Sequence, residues 1–190
     1  MKEFDPDAVL GAAMELFWER GYDATSTADL VAELGIARAS LYATFGSKQE
    51  LFLRAFDHYL ALRDPSVVEL LSQPGPALPA VKALVNGYAE ESIQDDRGCF
   101  VVNAAVARMG DAATARRVRT SWDTVEVALT SALVRARAQG ELAPEADPRA
   151  LARFLLVFLQ GVRVLGRDDT NPDRLADAVR EALRILDRTV

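Results

Sequence analysis

Glycines and prolines divide this 190-residue chain into segments whose apolar side chains recur every three or four positions, and no run alternates with the two-residue period of a half-buried strand. That pattern predicts an all-α protein of about nine helices. The first has an Asp5 cap and Pro6 at its first position, carries Val9, Ala13, Leu16 and Phe17 on one face, and stops at Gly21. A short second helix follows Thr25-Ser26-Thr27, whose hydroxyls can cap it, and runs through Leu30, Val31 and Leu34 to Gly35. A third, Ala37 to Phe45, sets Leu41 and Phe45 on one face and ends at Gly46. Ser47-Lys48-Gln49-Glu50 reads as a capping box opening a fourth helix with Leu51, Phe52, Ala55, Phe56 and Tyr59, which is expected to end near Leu62.

Pro65 and Gln73-Pro74-Gly75-Pro76 break the pattern, so the expected boundaries are a unit over residues 1–46, a connecting helix over 47–62 and a larger helical unit over 63–190. Within the larger unit, a fifth helix is expected with Pro79 in its first turn, a sixth from Cys99 to Met109, a seventh from about Asp111 to Gln139, an eighth starting at Asp147-Pro148 and a ninth capped by Asn171-Pro172. The eighth holds six apolar residues in succession, Phe154 to Leu159, which cover every side of a helix. With the broad apolar stripe of the ninth, this is more surface than one small bundle covers, and a second copy of the chain is the expected partner. Phe154, Phe158, Val162, Leu175, Val179 and Leu183 are the candidate dimerisation residues.

Composition removes several functions. No run approaches the roughly 18 apolar residues of a membrane span, and the acidic start, Met1-Lys2-Glu3-Phe4-Asp5, does not read as a leader; a cytoplasmic protein without membrane contact is expected. One cysteine and one histidine, Cys99 and His58, provide no cysteine-cluster or two-histidine metal site and no recognisable nucleophile-base constellation, so neither metal, cofactor nor catalysis is expected. The charge balance opposes nucleic-acid binding at first sight. Net charge is -6, and residues 1–60 hold five Lys or Arg against ten acids.

Two short helices joined by a Gly-containing turn have the size of a helix-turn-helix unit, whose second helix enters the major groove. The residues are more specific than the geometry. Ala13-Met14-Glu15-Leu16-Phe17, Arg20-Gly21-Tyr22, Thr25-Ser26-Thr27, Leu34-Gly35-Ile36, Leu41-Tyr42-Ala43-Thr44-Phe45 and Lys48-Gln49-Glu50-Leu51 together resemble the N-terminal signature of the TetR, or tetracycline-repressor-like, family of bacterial transcriptional regulators. The resemblance spans roughly residues 5–58; the C-terminal part is similar in helix count and length more than in motif. It implies a DNA-binding unit followed by a ligand-binding and dimerisation unit, the last two helices pairing with a second chain in a four-helix bundle.

Physical reasons for the DNA-facing residues stand beside that resemblance. Thr25, Ser26 and Thr27 can offer hydroxyls and free backbone N–H groups to a phosphate at a helix start. Tyr42 and Lys48 can hold further phosphates, which positions the protein without reading sequence. Arg38 can read guanine O6 and N7, Ser40 and Thr44 can bond a base or phosphate, and Ala37, Ala39 and Ala43 can approach a thymine methyl. The sequence departs from the family pattern at Ala37, where a capping Ser is common, and at Ala43-Thr44, where an aromatic and a His or Tyr are common. Fewer contacts and an acidic unit together predict weak non-specific DNA affinity and strong dependence on dimerisation. The whole reading is a repressor released from a palindromic double-stranded operator by a largely apolar small molecule, against the alternative of a helical interaction or ligand-binding module that no longer uses DNA.

By the same resemblance, helices four to seven form the effector pocket, for which Tyr59, Tyr88, Phe100, Asn103 and Trp122 supply aromatic and polar groups. The fourth helix is the expected transmitter between the units. Cys99 admits two readings. It opens a helix beside Arg97, where dipole and cation favour a thiolate sensor, yet Asp95 and Asp96 oppose ionisation and a small residue packed at a helix start has the same sequence.

Overall fold

The structure, a computed structural model, describes residues 5–95, 97–166 and 171–188; the expectations resting on residues 1–4 and on Asp96 lie outside them. Among the described residues the chain forms α1 (Pro6–Arg20), α2 (Thr27–Leu34), α3 (Arg38–Phe45), α4 (Lys48–Ser72), α5 (Ala77–Gln94), α6 (Phe100–Arg108), α7 (Ala112–Ala138), α8 (Pro148–Leu165) and α9 (Pro172–Arg188), with no strand. The starts follow the expected caps. Asp5 accepts from the Asp7 amide at 3.0 Å, Asp111 from Thr114 at 2.8 Å and Asp147 from Arg149 at 2.9 Å.

Two caps differ from expectation. The Ser47–Glu50 box closes on one side only: Ser47 Oγ accepts from the Glu50 amide at 3.1 Å, but the Ser47 amide already donates to the Phe45 carbonyl at 3.0 Å. The reciprocal box forms instead at α2, where Ser26 Oγ accepts from the Asp29 amide and Asp29 accepts from the Ser26 amide at 2.7 Å.

The fourth helix does not end near Leu62, and Pro65 does not break it; α4 continues for 25 residues to Ser72. Proline removes one intrahelical hydrogen bond, to the carbonyl of Ala61, and both residues face solvent, where water can take that carbonyl. Packing on both sides outweighs the loss. Phe52, Phe56 and Tyr59 anchor the first half of α4 in one core, and Val67 and Leu71 anchor the second half in another.

Those two cores organise the molecule. The first joins α1–α3 and the start of α4 to α6 and to Val118 of α7, so that Phe100, Val101, Val102 and Ala104 pack with Phe17 and Phe52 of distant helices as well as with the helix that follows them. Phe100 meets Phe52 edge-on with centroids 5.8 Å apart and Phe56 at 5.1 Å. Each fully buried phenylalanine contributes about 1.5–3 kcal/mol relative to exposure. The second core is formed by the end of α4 with α5, α7, α8 and α9.

Candidate nucleic-acid interface and adjoining cavities

The turn between α2 and α3 is built around Gly35, whose φ of 62° is a left-handed conformation that ends α2. Ile36 is buried behind it, and Leu30, Leu41 and Phe45 clamp both short helices onto α1 and α4. This leaves the opposite face of α3 free. Arg38, Ala39, Tyr42 and Ala43 are exposed, with Ser40 and Thr44 half-buried at its edges. At the start of α3, Ala37 supplies no side-chain cap.

Tyr42 holds this face together. Its hydroxyl lies 3.3 Å from Thr27 Oγ1, and the Arg38 guanidinium sits 5.7 Å from its ring centroid. The bond from Thr27 and then the Arg38 charge draw the phenol below its ordinary pKa. Lys48, at the first position of α4, places its ammonium 4.1 Å from the centre of the Tyr22 ring. At Gly46, between α3 and α4, φ is 80°, a left-handed conformation that glycine adopts without strain.

Thr25 does not join them. It is fully buried and its hydroxyl donates to the Gly21 carbonyl at 2.7 Å, so the first threonine locks the α1–α2 turn and cannot reach a phosphate. Ser26 is exposed but its side chain is engaged in the capping box; the Asp29 carboxyl is held below its ordinary pKa by the Ser26 hydroxyl and amide. Thr27 and Tyr42 are therefore the hydroxyls oriented together toward solvent.

The acidic excess of the N-terminal third is largely occupied inside the molecule. Glu15 pairs with Arg97, Asp57 takes both donors of the Arg117 fork at 2.6 and 2.8 Å, and Asp23 lies 3.7 Å from Arg108. Asp29 and Glu50 serve the caps of α2 and α4. Arg108 also lies 3.8 Å from the Tyr22 ring centre and donates to Gln49 at 2.8 Å. Three arginines from the α5–α6 turn, α6 and α7 thus neutralise acids of the N-terminal third and fasten α1, the α1–α2 turn and α4 to the rest. Sequence reasoning missed these contacts because the partners lie 59 to 85 positions apart.

Two cavities lie along α4. A groove of about 550 Å³ lies between the end of α4 and α7, lined by Val68, Leu71, Thr124, Val127, Ala128 and Arg135 among others. A smaller cavity of about 290 Å³ lies where Trp18 of α1 meets Tyr59 and Arg63 of α4, Glu91 of α5 and Arg163 of α8. Of the five expected pocket residues, Tyr59 alone lines either of these two cavities. Tyr88 stacks beneath Arg63 and Arg163, Phe100 is core, and Asn103 donates to the Arg97 carbonyl at 2.9 Å. Trp122 packs against the first core with its indole N–H buried and without a hydrogen-bond partner.

The chain matches the model of bacterial regulatory proteins of the TetR family over residues 9–55 and that of the tetracycline repressor-like C-terminal domain over residues 77–183. It is 37% identical over 190 residues to an uncharacterised helix-turn-helix transcriptional regulator, YezE, of Bacillus subtilis, covering 98% of each chain. The chain belongs to the TetR family. A second relative, the transcriptional repressor ComR of Escherichia coli, is 31% identical over 97% of this chain and 90% of its own. Among solved structures, a cysteine mutant of the TetR-family regulator CifR complexed with a 26-base-pair operator DNA is 32% identical, covers 97% of both chains and superposes with a TM-score of 0.83.

In this TetR-family chain the exposed apolar face of the last two helices differs from the residues expected there. Val162 and Leu175 are buried in the chain's own core, because α8 turns Leu155, Leu159 and Val162 inward together and α9 follows with Leu175. Val179 and Leu183 are half-buried against the same core. Phe154 does reach the outer side, stacked at 6.1 Å on Phe158, which is itself half-buried against the core, and the face continues through Val157, Val164, Leu165 and Ile185, all exposed. The sequence hid this because an uninterrupted apolar run carries no phase. Cys99 is buried at the start of α6, with its sulfur 3.7 Å from the Tyr59 hydroxyl, and Asp95 is forked by Arg97.

Proposed function

We propose that this TetR-family protein is a transcriptional repressor that binds a palindromic operator as a homodimer and is released by a small-molecule effector. The exposed face of α3 carries the reading: Arg38 and Tyr42 point outward together, Thr27 and Lys48 flank them, and the acids nearby are engaged in caps and ion pairs. Such a face suits base contact by Arg38 and phosphate contact by Tyr42, Thr27 and Lys48. ComR is named a repressor and the CifR mutant is held on operator DNA, which supports the same assignment here. The outward apolar face of α8 and α9 suits a second copy, which would set two α3 helices about one turn of DNA apart. No catalytic chemistry belongs to this reading, and its setting is the cytoplasm; among the described residues no helix is long and apolar enough to cross a membrane.

Fluorescence anisotropy on the DNA upstream of its own gene, across a salt series with unrelated DNA as competitor, tests it. Specific binding is expected to survive the competitor. Arg38→Ala is expected to weaken it by about 1–3 kcal/mol and to relax specificity, whereas Lys48→Ala weakens binding uniformly and flattens the salt slope by about one unit. Affinity equal to that for unrelated DNA, or indifference to both substitutions, overturns the reading.

A further inference from the structure

The smaller cavity is charged in an unusual way. Arg63 donates to Glu91 Oε2 at 2.6 Å and Arg163 donates to the same oxygen at 2.5 Å, so two guanidinium groups converge on one carboxylate oxygen. Arg163 is only 5% exposed, and its Nε is buried without a hydrogen-bond partner. Asp95, the other acid on the wall, is forked by Arg97. Beneath the pair lies the Tyr88 ring, 4.8 Å from Arg63 and 4.2 Å from Arg163, and burial pushes its phenol up to about 12, so at neutral pH it brings no negative charge.

A buried arginine fork with a free donor is costly unless something completes it. Glu91 is a removable occupant: its side chain is 48% exposed, whereas those of Arg63 and Arg163 are 22% and 6% exposed. A carboxylate entering the cavity could take both guanidinium groups in the planar geometry they favour while Glu91 turns to solvent. Trp18 and Tyr59, with ring centres 5.1 Å apart, supply the apolar side of the wall, Gln94, Asp95 and Gly98 complete it, and Arg97 sits 4.0 Å from the centre of the Trp18 ring. A cavity of about 290 Å³ lies just below the roughly 300–1,000 Å³ typical of ligand sites, which limits the occupant to a small molecule.

We propose that this cavity is the effector site and that its ligand is a small organic carboxylate with a flat apolar body, bound by Arg63 and Arg163 and resting against Trp18. This deepens the repressor reading and depends on it for the word effector. Trp18 belongs to α1 of the DNA-binding unit and donates its indole N–H to the Gly98 carbonyl at 3.0 Å, so the ligand touches a joint between the two units. A carboxylate that prefers one setting of that joint shifts operator affinity by its preference.

Calorimetric titration of the free dimeric protein with benzoate, phenylacetate and hexanoate, with benzamide and inorganic phosphate as comparisons at matched ionic strength, decides the matter. At least one carboxylate is expected to bind about tenfold or more tightly than benzamide. Arg63→Lys and Arg163→Lys are each expected to weaken it about tenfold, because an ammonium cannot supply the fork. Glu91→Gln is expected to strengthen it, since the internal competitor is gone; an ion cluster that serves only packing predicts lower stability and no gain in affinity. Carboxylates that bind no better than the amide, phosphate binding in their place, or a Glu91→Gln protein with unchanged or weaker affinity overturns the proposal. Binding is read without DNA, so failure of the operator experiment leaves this result standing. The bound carboxylate is then expected to lower operator affinity in the anisotropy assay, and an unchanged affinity overturns its role as effector.

Discussion

Residues that look alike in the sequence are put to opposite uses by their surroundings. Thr25 and Thr27 are two positions apart, yet one is sealed into the α1–α2 turn and the other meets Tyr42 at the surface. Asp64 and Asp111 make a second contrast. Asp111 is held below its ordinary value by its bonds to Thr114, whereas burial raises Asp64 despite a 2.9 Å bond donated by Ser121. For Asp64 the folded pKa lies above the reference 3.8, so ionisation is less favourable in the folded than in the unfolded chain. Its contribution to stability is therefore present below about pH 3.8 and is lost as pH rises through the folded value. Asp64→Asn, which keeps an acceptor for Ser121, is expected to raise Tm at pH 7 and to lose that advantage below pH 3.8. Thermal melts of both proteins across pH check this, and a lower Tm at pH 7 would count against the burial argument.

At the scale of elements, α4 explains how the two units are connected. The first half of this helix belongs to one core and its second half to the other, and Pro65 lies near the crossing point. Proline in a helix interior costs up to about 3 kcal/mol relative to alanine, less where the chain has adapted to it. Pro65→Ala is expected to stabilise the protein by about 1 kcal/mol or more in urea unfolding and to leave its helix content unchanged. A loss of stability would mean that the packing of Val67 and Leu71 depends on proline at this position. The α6 helix makes a related point. Between the long helices α5 and α7 in sequence, it nevertheless completes the core of the DNA-binding unit through Phe100 and clamps that unit through Arg108.

For the whole molecule, the outward side of α8 and α9 is what remains after both cores are filled. Val157 is 73% exposed in the middle of an apolar face that includes Phe154, Val164 and Leu165, and a contiguous exposed apolar face of this kind favours burial against a second copy. Val157→Asp is expected to give a folded monomer by light scattering, with unchanged circular dichroism. It should also lose most operator affinity, because one α3 face with few contacts cannot hold DNA alone. A dimer that persists with Val157→Asp would move the interface elsewhere.

The helices, their caps and the α2–α3 unit were legible in the sequence because they depend on local rules: apolar spacing, Ser and Asp at starts, glycine at ends. The family signature was legible for the same reason, since Leu34-Gly35-Ile36 and Leu41-Tyr42 lie within one short stretch. Tertiary structure decided which outward groups are free and which are taken. Arg63, Glu91 and Arg163 occur on three helices, and nothing within any one of them indicates that they meet. The phase of α8, the continuation of α4 through Pro65 and the burial of Thr25 were likewise set by packing energies summed over distant residues. Those energies exceed the local preference that a sequence window can read.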